Sequence, residues 1–302
     1  MTLPNFFIVG AARSGTTTLW SALRQHPDVF MPWNKEPNFY VFRDRPLPLN
    51  GPASRRSIYS LLYSHSISEP ATYECLFHKA QSESAVGEAS VRYLYYPHAA
   101  ACIHEAHPEA RIIMVLRNPV DRAYSHYCMN VAYGIETLGF REAIAAENGR
   151  IDADWGWDWH YVNVSLYYKA VRRFIELFGS EQVRVYLYDD FCIDPAGMVR
   201  DICSYLGIDS SFDLDTSQRL KESLWPRFRG FNCLLNFVLR KFRRSVSGDD
   251  GVDGLVKMVP RWNRAPVPRI AVRVREELLG QFEKDVLQLE SLLLRDLTAW
   301  RT

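Results

Sequence analysis

A glycine-rich segment near the start of the chain carries the clearest chemical signal. It runs from Gly10 to Thr18 with the sequence Gly-Ala-Ala-Arg-Ser-Gly-Thr-Thr-Thr, directly after the apolar residues 6–9. A glycine loop between a strand and a helix binds phosphate because its backbone N–H groups and the first N–H groups of the helix point at one anion. The spacing of the two glycines is that of a nucleotide-binding P-loop. We therefore predict a phosphate-binding loop; the alternative is an ordinary glycine-rich turn between a strand and a helix.

The loop departs from the P-loop of nucleoside triphosphatases at one position. Thr16 stands where those proteins place a lysine that reaches the transferred phosphate. The missing lysine disfavours a nucleoside triphosphatase or a kinase. Arg13, inside the loop, can supply the missing positive charge. The loop is therefore predicted to hold a nucleotide while serving a different reaction.

A second candidate anion site follows the apolar run 112–116. Arg117 comes directly after this run, and Ser125 lies eight residues later on a predicted helix. Open parallel sheets bind ligands at the carboxyl ends of their strands, and a guanidinium can grip a phosphate through two parallel hydrogen bonds. Arg117 and Ser125 are thus predicted to bind a second phosphate. In the alternative interpretation Arg117 pairs with a carboxylate and Ser125 is an ordinary helix residue.

Short apolar runs alternate with helical patterns along the chain, which is typical of βα units around a parallel sheet. We predict one α/β domain over residues 1–302, a P-loop-like three-layer fold with a central parallel sheet flanked by helices. The predicted strands are 5–9, 29–31, 85–88, 111–116 and 182–188. The predicted helices are 16–25, 97–106, 120–132, 166–178, 196–206 and 268–296.

Three segments fall outside this alternation. Residues 43–68, rich in Pro, Ser and Gly, are predicted to be a surface excursion. Residues 134–163 contain an aromatic and acidic cluster, Trp155 to Tyr161, which either stacks on a sugar or lipid acceptor or packs a loop against the core. Residues 227–244 form a basic amphipathic pattern that suits peripheral membrane contact or a packed helix with a solvated basic end. A mobile loop is predicted at 245–251.

Composition limits the kinds of partner. The 36 basic and 35 acidic residues give a net charge of +1, which cannot supply the broad basic face of a non-specific nucleic-acid binder. The six cysteines include no C-x-x-C pair and are predicted to be reduced thiols. Without a long apolar run or a signal peptide, a cytoplasmic protein is expected. No metal site is predicted, and the pair His104 and His107 is expected at the surface.

The two blocks together resemble those of the PAPS-dependent sulfotransferases, especially the branch of the heparan sulfate sulfotransferases and their bacterial relatives. In that family the first loop holds the 5′-phosphosulfate of PAPS, and many members have lysine at the position of Arg13. The second block holds the 3′-phosphate. The resemblance implies that the 5′ end is bound by Arg13, Ser14, Gly15, Thr16 and Thr17. It implies that Arg117 and Ser125 bind the 3′-phosphate.

The resemblance extends to nearly the whole chain. Glu36, in the segment 34–40, matches the glutamate that serves as the family's catalytic base. The segment 87–93 is similar to another family segment, but Ala89 stands where a lysine is common; Lys35 or Arg92 could take over its charge. The matching tail begins with Arg261 and Arg264, which the resemblance adds to the PAPS-binding residues.

The implied reaction is transfer of the sulfuryl group of PAPS to a hydroxyl, or less often an amine, of a small-molecule, carbohydrate or lipid acceptor. It is an in-line displacement that needs no metal, with Glu36 as base and Arg13 facing the developing charge. His126 is the rival base, although successive helix residues point about 100° apart, so it should face away if Ser125 faces the phosphate. The alternative function is a catalytically inactive PAP-binding or other nucleotide-binding protein, which Ala89 would favour.

Overall fold

Five short strands form a parallel sheet at the centre of the computed structural model, which describes residues 3–212, 214–216, 224–232 and 259–302. They are β1 (Phe6–Gly10), β2 (Val29–Phe30), β3 (Ala85–Ala89), β4 (Arg111–Leu116) and β5 (Val183–Leu187). Their order across the sheet is β2-β3-β1-β4-β5, and each neighbouring pair is parallel. All five predicted strands are confirmed.

The position of β1 determines where a ligand can bind. Its Phe6 pairs with Gly87 of β3 on one side and with Arg111 of β4 on the other. The chain fills the sheet on one side of β1 with β2 and β3 and on the other side with β4 and β5. In open α/β sheets such a switch point leaves a crevice at the carboxyl ends of the strands. Here the crevice lies beyond β1 and β4.

Helices cover both faces of the sheet. They are α1 (Thr16–Leu23), α2 (Phe39–Phe42), α3 (Arg55–Ile58), α4 (Pro70–Cys75), α5 (Pro97–Ala106), α6 (Pro119–Tyr133), α7 (Phe140–Ala145), α8 (Glu147–Asp152), α9 (Tyr168–Phe178), α10 (Tyr188–Ile193), α11 (Pro195–Leu206) and α12 (Val272–Leu293). A π-helical turn spans Tyr59–Tyr63, and 3-10 turns span Trp157–Trp159, Asn163–Ser165, Ser180–Gln182, Arg261–Asn263 and Thr298–Trp300. A small antiparallel ribbon joins β6 (Trp225–Pro226) to β7 (Arg264–Ala265).

Side-chain alternation along β1 divides the core into two layers. Phe7 and Val9 pack with the side chains of α5, α9 and α12, whereas Phe6 and Ile8 pack with those of α1 and α11. Successive residues of a strand point to opposite faces, so an all-apolar strand must be covered on both. The predicted three-layer α/β fold is confirmed, and so is each predicted helix, with ends shifted by up to four residues.

The prediction of a surface excursion at 43–68 is only partly right. Ile58, Leu61 and Tyr63 are buried in the main core, on α3 and the π-helical turn. Loop composition concealed this because the three apolar residues that pack inward are spread among Ser, Pro and Arg. The excursion is therefore a lid over one face of the core.

His104 on α5 and His107, which directly follows that helix, were expected at the surface but are half-buried. His107 shares a hydrogen bond of 2.6 Å with the hydroxyl of Tyr40, and His104 packs edge-on against Phe178. Burial lowers the pKa of His107 to about 4, so it is neutral at physiological pH. Both side chains serve packing. Within the described ranges, His, Cys, Asp and Glu side chains form no cluster of three or more that could hold a metal ion.

Five cysteines lie in the described residues and all are free thiols. Cys233 lies outside the described residues, as do most of segment 227–244 and all of 245–251. In the part of the chain that the structure describes, no helix combines the length and hydropathy needed to cross a membrane.

Candidate active site

The glycine-rich loop joins β1 to α1 as predicted. Gly15 has φ +82°, and a Cβ there would lie 3.0 Å from the ring of Phe191 and 3.1 Å from that of Tyr188. Both the left-handed backbone and this close packing require glycine. Thr16 is buried and Thr17 half-buried in the first turn of α1. The glycine thus allows the chain to turn directly into a helix whose amino end faces the crevice.

The loop has the features of an anion site. No side chain caps the amino end of α1, whose first N–H groups carry the positive end of the helix dipole. The hydroxyl of Ser14 is fully buried and has no hydrogen-bond partner among the described residues. A buried hydroxyl without a partner is costly unless a ligand satisfies it. The donors at this end of β1 therefore fit a phosphate or phosphosulfate group.

Arg13 extends across the crevice toward α6. Its Nε donates to the hydroxyl of Ser125 at 3.0 Å, and Nη1 lies 3.6 Å from the sulfur of Met129. The backbone of Arg13 is left-handed, with φ 69°. Burial, together with the nearby charge of Arg117, lowers the pKa of Arg13, although an arginine stays protonated at physiological pH. An anion bound here would offset both the burial of the Arg13 charge and its repulsion from Arg117.

Arg117 leaves the carboxyl end of β4 and completes the cationic side of the crevice. Its Nη1 donates to the backbone oxygen of Arg13 at 3.2 Å. The guanidinium lies over the ring of Tyr188, 4.8 Å from its centre. The hydroxyl of Tyr167 donates to the backbone oxygen of Arg117 at 3.0 Å. Tyr167 and Tyr188 lie in segments that resemble the family outline, but the sequence assigned neither of them a role in the site, since tyrosines at the start of a helix carry no distinguishing spacing.

The helix that carries Ser125 begins directly after Arg117. The side chain of Asn118 accepts hydrogen bonds from the N–H groups of Val120 and Asp121, which caps α6, and Pro119 occupies the first turn. Ser125 is buried on the face of α6 that points at Arg13. The structure thus brings the two predicted anion-binding blocks into direct contact.

Glu36 lies next to the carboxyl end of β3, which neighbours β1 on the side away from β4. Its N–H donates to the backbone oxygen of Ala89 at 2.9 Å, and its own backbone is left-handed, with φ 65°. Lys35 Nζ donates to Glu36 Oε1 at 2.8 Å, while Arg92 Nη1 lies 3.8 Å from Oε2. The Glu36 side chain is 28% exposed. A carboxylate at the mouth of the crevice, between two cations, is suited to accept a proton from a bound molecule.

Ala89, which departs from the lysine common in the resembled family, is buried at the end of β3. Both residues named as possible substitutes for that lysine, Lys35 and Arg92, contact Glu36. Two neighbouring segments thus place positive charge beside this carboxylate.

The aromatic and acidic cluster packs mainly against the core. Trp157, Trp159 and Tyr161 are at most 4% exposed, and Asp158 makes an ion pair of 2.9 Å with Arg92. The hydroxyl of Tyr95 shares a hydrogen bond of 2.9 Å with His160. This favours the packing interpretation over acceptor stacking for these residues. Asp152 and Asp154 remain exposed.

His126, the rival base, is turned into the protein. It is fully buried, Arg122 Nη1 donates to its Nδ1 at 3.3 Å, and its ring packs against Trp157 and Tyr161. Burial and the charge of Arg122 hold the pKa of His126 well below its ordinary value. The imidazole is therefore neutral and enclosed.

A second carboxyl near the site was not identified from the sequence. Glu88 of β3 is fully buried and accepts hydrogen bonds of 2.8 Å from the hydroxyls of Tyr73 and Tyr93. Burial raises the pKa of Glu88 from 4.5 to about 7. The next residue but one, Ser90, accepts a hydrogen bond from the N–H of Asn38, two residues after Glu36. Glu88 therefore lies in the segment that contacts and positions the residues around Glu36.

The two arginines of the tail are not brought to the crevice by any described contact. Arg264 is exposed on β7, and its Nε donates to the backbone oxygen of Val259 at 3.1 Å. Arg261 begins a 3-10 turn, but its side chain lies outside the described part of the chain. Their assignment to the nucleotide site stays a prediction.

The fold and this constellation have counterparts among known proteins. The crystal structure of a sulfotransferase from Alicyclobacillus acidocaldarius has 37% sequence identity and a TM-score of 0.78, with 100% of both chains covered. Human heparan sulfate glucosamine 3-O-sulfotransferase 6 is 27% identical over 205 residues, which cover 68% of this chain and 52% of the human protein. Mouse carbohydrate sulfotransferase 15 is 28% identical over 151 residues, which cover 41% of this chain and 27% of that protein.

The chain spans about half the length of the heparan sulfate relatives it matches. A model of the sulfotransferase family matches residues 4–213, which include the loop, Glu36, Arg117 and Ser125. With most of its length matched in this way, the chain belongs to the sulfotransferase family.

Proposed function

We propose that the protein transfers the sulfuryl group of PAPS to a hydroxyl of a carbohydrate or small-molecule acceptor. The observation that carries the proposal is the contact between Arg13 and Ser125, which joins two anion-binding blocks at the crevice. Glu36 lies next to the end of β3, the strand that pairs with β1. Two separated phosphate sites suit a nucleotide with a 5′ and a 3′ anion. The printed names of the curated relatives, heparan sulfate and carbohydrate sulfotransferases, favour a carbohydrate acceptor.

The residues at the crevice divide the binding of PAPS between them. The N–H groups at the start of α1 and the hydroxyl of Ser14 would hold the 5′-phosphosulfate. Arg117 and Ser125 would hold the 3′-phosphate, the guanidinium through parallel hydrogen bonds. Arg13, which already contacts Ser125, lies between the two groups and would turn toward the 5′ end.

The chemistry follows from the charges. The acceptor oxygen forms a bond to sulfur while the bond from sulfur to the 5′-phosphate oxygen breaks, leaving negative charge on that oxygen. Arg13 and the loop N–H groups stabilise the developing charge, because fixed donors in a site shielded from water cost little reorganisation. Glu36 takes the proton of the acceptor hydroxyl, and a positioned base contributes ~10²–10⁴-fold to the rate.

The decisive experiment is incubation with PAPS labelled in its sulfuryl group and a panel of acceptors. The panel should pair hydroxyl compounds with the corresponding amines and include glucosamine-containing oligosaccharides. Label on a hydroxyl compound, with release of PAP, supports the proposal. Because protein cations supply the charge, we expect turnover to survive EDTA. Tight PAP binding with no transfer to any acceptor would instead favour an inactive nucleotide-binding protein.

A further inference from the structure

Arg92 is a buried cation that the proposed reaction has not yet used. It follows β3 by three residues, and its side chain is only 5% exposed. Nη2 donates to Asp158 Oδ1 at 2.9 Å and to the backbone oxygen of Leu62 at 3.4 Å. The guanidinium lies 4.9 Å from the ring centres of both Tyr63 and Trp157. These contacts hold it in one orientation.

Asp158, the partner of Arg92, is itself held from two sides. The hydroxyl of Tyr63 donates to Asp158 Oδ2 at 2.7 Å. Asn130, on the helix that carries Ser125, donates from its side chain to the backbone oxygen of Asp158 at 2.6 Å. The ion pair is therefore anchored to α6 and to the π-helical turn as well as to the segment after β3. Its geometry is set by three parts of the fold.

The ion pair reaches from the interior to the mouth of the crevice. The second terminal nitrogen of Arg92, Nη1, lies 3.8 Å from Glu36 Oε2, whereas Lys35 contacts Oε1. Stability alone does not explain this extension, because a buried ion pair can often be replaced by apolar residues without loss of stability. A cation placed beside a half-exposed carboxylate indicates a role in keeping that carboxylate ionised and oriented.

We propose that Arg92 is a positioning residue for Glu36, holding its carboxylate ionised and oriented, and that Asp158 fixes Arg92 for this purpose. The inference rests on the proposed function, in which Glu36 is the base. Arg92 and Lys35 together then replace the lysine that is absent at Ala89. The aromatic and acidic cluster, for which the sequence left acceptor binding and core packing open, would then hold the base in place through Asp158 and Arg92.

Two cations and one buried carboxyl surround Glu36. Lys35 faces it from its own segment and Arg92 from the segment after β3, while the buried carboxyl of Glu88 is the described like-charged neighbour. Burial is the largest single effect and would lower the pKa of Arg92, but the attractions of Asp158, Tyr63 and Glu36 together outweigh it and the pKa is raised. An opposite charge within ~4–6 Å lowers a carboxyl pKa by about 1–3 units. Removing the charge of Arg92 should therefore raise the pKa of Glu36.

The test is the pKa of Glu36 in protein carrying 13C at the side-chain carboxyl of glutamate, with the signal assigned by its loss in Glu36→Gln. Arg92→Gln should raise this pKa by about one unit or more. The acidic limb of the pH profile of kcat/KM should move upward by the same amount.

Arg150→Gln is the matched control. Arg150 forms a similarly buried ion pair of 2.7 Å with Glu136 and lies over Trp155, with no described contact to Glu36. It should reduce stability without moving the Glu36 titration. An equal Glu36 pKa in wild type and Arg92→Gln would overturn the inference and leave Arg92 a purely structural residue.

A second variant covers the case in which Arg92→Gln does not fold. Arg92→Met keeps a long side chain between Tyr63 and Trp157 but removes the positive charge beside Glu36. It should shift the Glu36 titration upward, and an unshifted titration would again contradict the inference. The NMR titration needs no turnover. Absence of sulfate transfer by the wild type would contradict the proposed function. An unchanged Glu36 pKa in the variants would contradict only this inference.

Discussion

Arg13 donates a hydrogen bond from its Nε to the hydroxyl of Ser125 at 3.0 Å, across 112 residues of sequence. The resemblance assigns these two residues to opposite ends of one nucleotide, and the fold brings their side chains into direct contact. The arginine lies between its partner on α6 and the uncapped end of α1. Binding at the loop would therefore require Arg13 to exchange the hydroxyl of Ser125 for oxygens of the donor.

Arg13→Ala should lower kcat by at least ~100-fold, because the charge that faces the leaving oxygen is lost. Arg13→Lys keeps the charge and should retain most of the turnover. Single-turnover kinetics at saturating PAPS would measure the chemical step. If Arg13→Ala kept its kcat and only raised KM, Arg13 would be a binding residue alone.

Arg117→Ala should weaken PAP by about 10- to 100-fold, since a hydrogen bond to a charged group contributes roughly 1.5–3 kcal/mol. AMP, which lacks the 3′-phosphate, should lose much less affinity. Isothermal titration calorimetry with both nucleotides measures the difference. Arg111→Ala, at the other end of the same strand, is the charge-matched control and should leave both affinities unchanged. Equal losses of affinity for PAP and AMP would show that Arg117 does not bind the 3′-phosphate.

Glu36→Gln should reduce turnover by at least ~100-fold while PAP affinity survives, because the amide keeps the shape of the side chain but cannot take a proton at neutral pH. His126→Gln should change kcat little, since His126 is enclosed against Arg122 and Trp157. Initial rates and calorimetry on the same preparations separate the two effects. The opposite outcome, an active Glu36→Gln and an inactive His126→Gln, would transfer the role of base to the histidine.

Glu88→Gln should stabilise the protein at pH 8 but not at pH 4.5. Burial raises the pKa of Glu88 from 4.5 to about 7, so folding favours its protonated form. The resulting stability is fully present below pH 4.5 and is lost as the pH rises to about 7. The glutamine cannot ionise and avoids this loss, up to about 3 kcal/mol.

Urea denaturation of wild type and Glu88→Gln between pH 4.5 and 8 would measure this effect. The difference in the free energy of unfolding should grow with pH and level off above about pH 7. Glu105→Gln, exposed on α5, should give a flat difference near zero and serves as the control. A flat difference for Glu88→Gln as well would mean that Glu88 ionises normally in the folded protein.

The sequence alone determined the features that depend on neighbours along the chain. The five strands could be read because an all-apolar run such as 112–116 must be covered on both faces of a sheet. The glycine loop and the arginine after β4 were visible for the same reason, because each directly follows such a run. Since strand ends of a parallel sheet share one edge, the two blocks could be expected to meet there without any knowledge of the rest of the fold.

Only the tertiary structure decided which of the remaining polar residues serve the site. Asp158 lies in an aromatic and acidic segment whose role the sequence left open, and nothing within that segment showed that it would pair with Arg92, 66 residues away. Glu88 looked like one polar residue in an apolar strand, and its raised pKa results from the enclosure that Tyr73 and Tyr93 complete. Burial and ion pairing over such separations depend on how the layers pack. Chain-local patterns therefore identify the groups that meet a ligand, whereas packing decides which charges hold those groups in place.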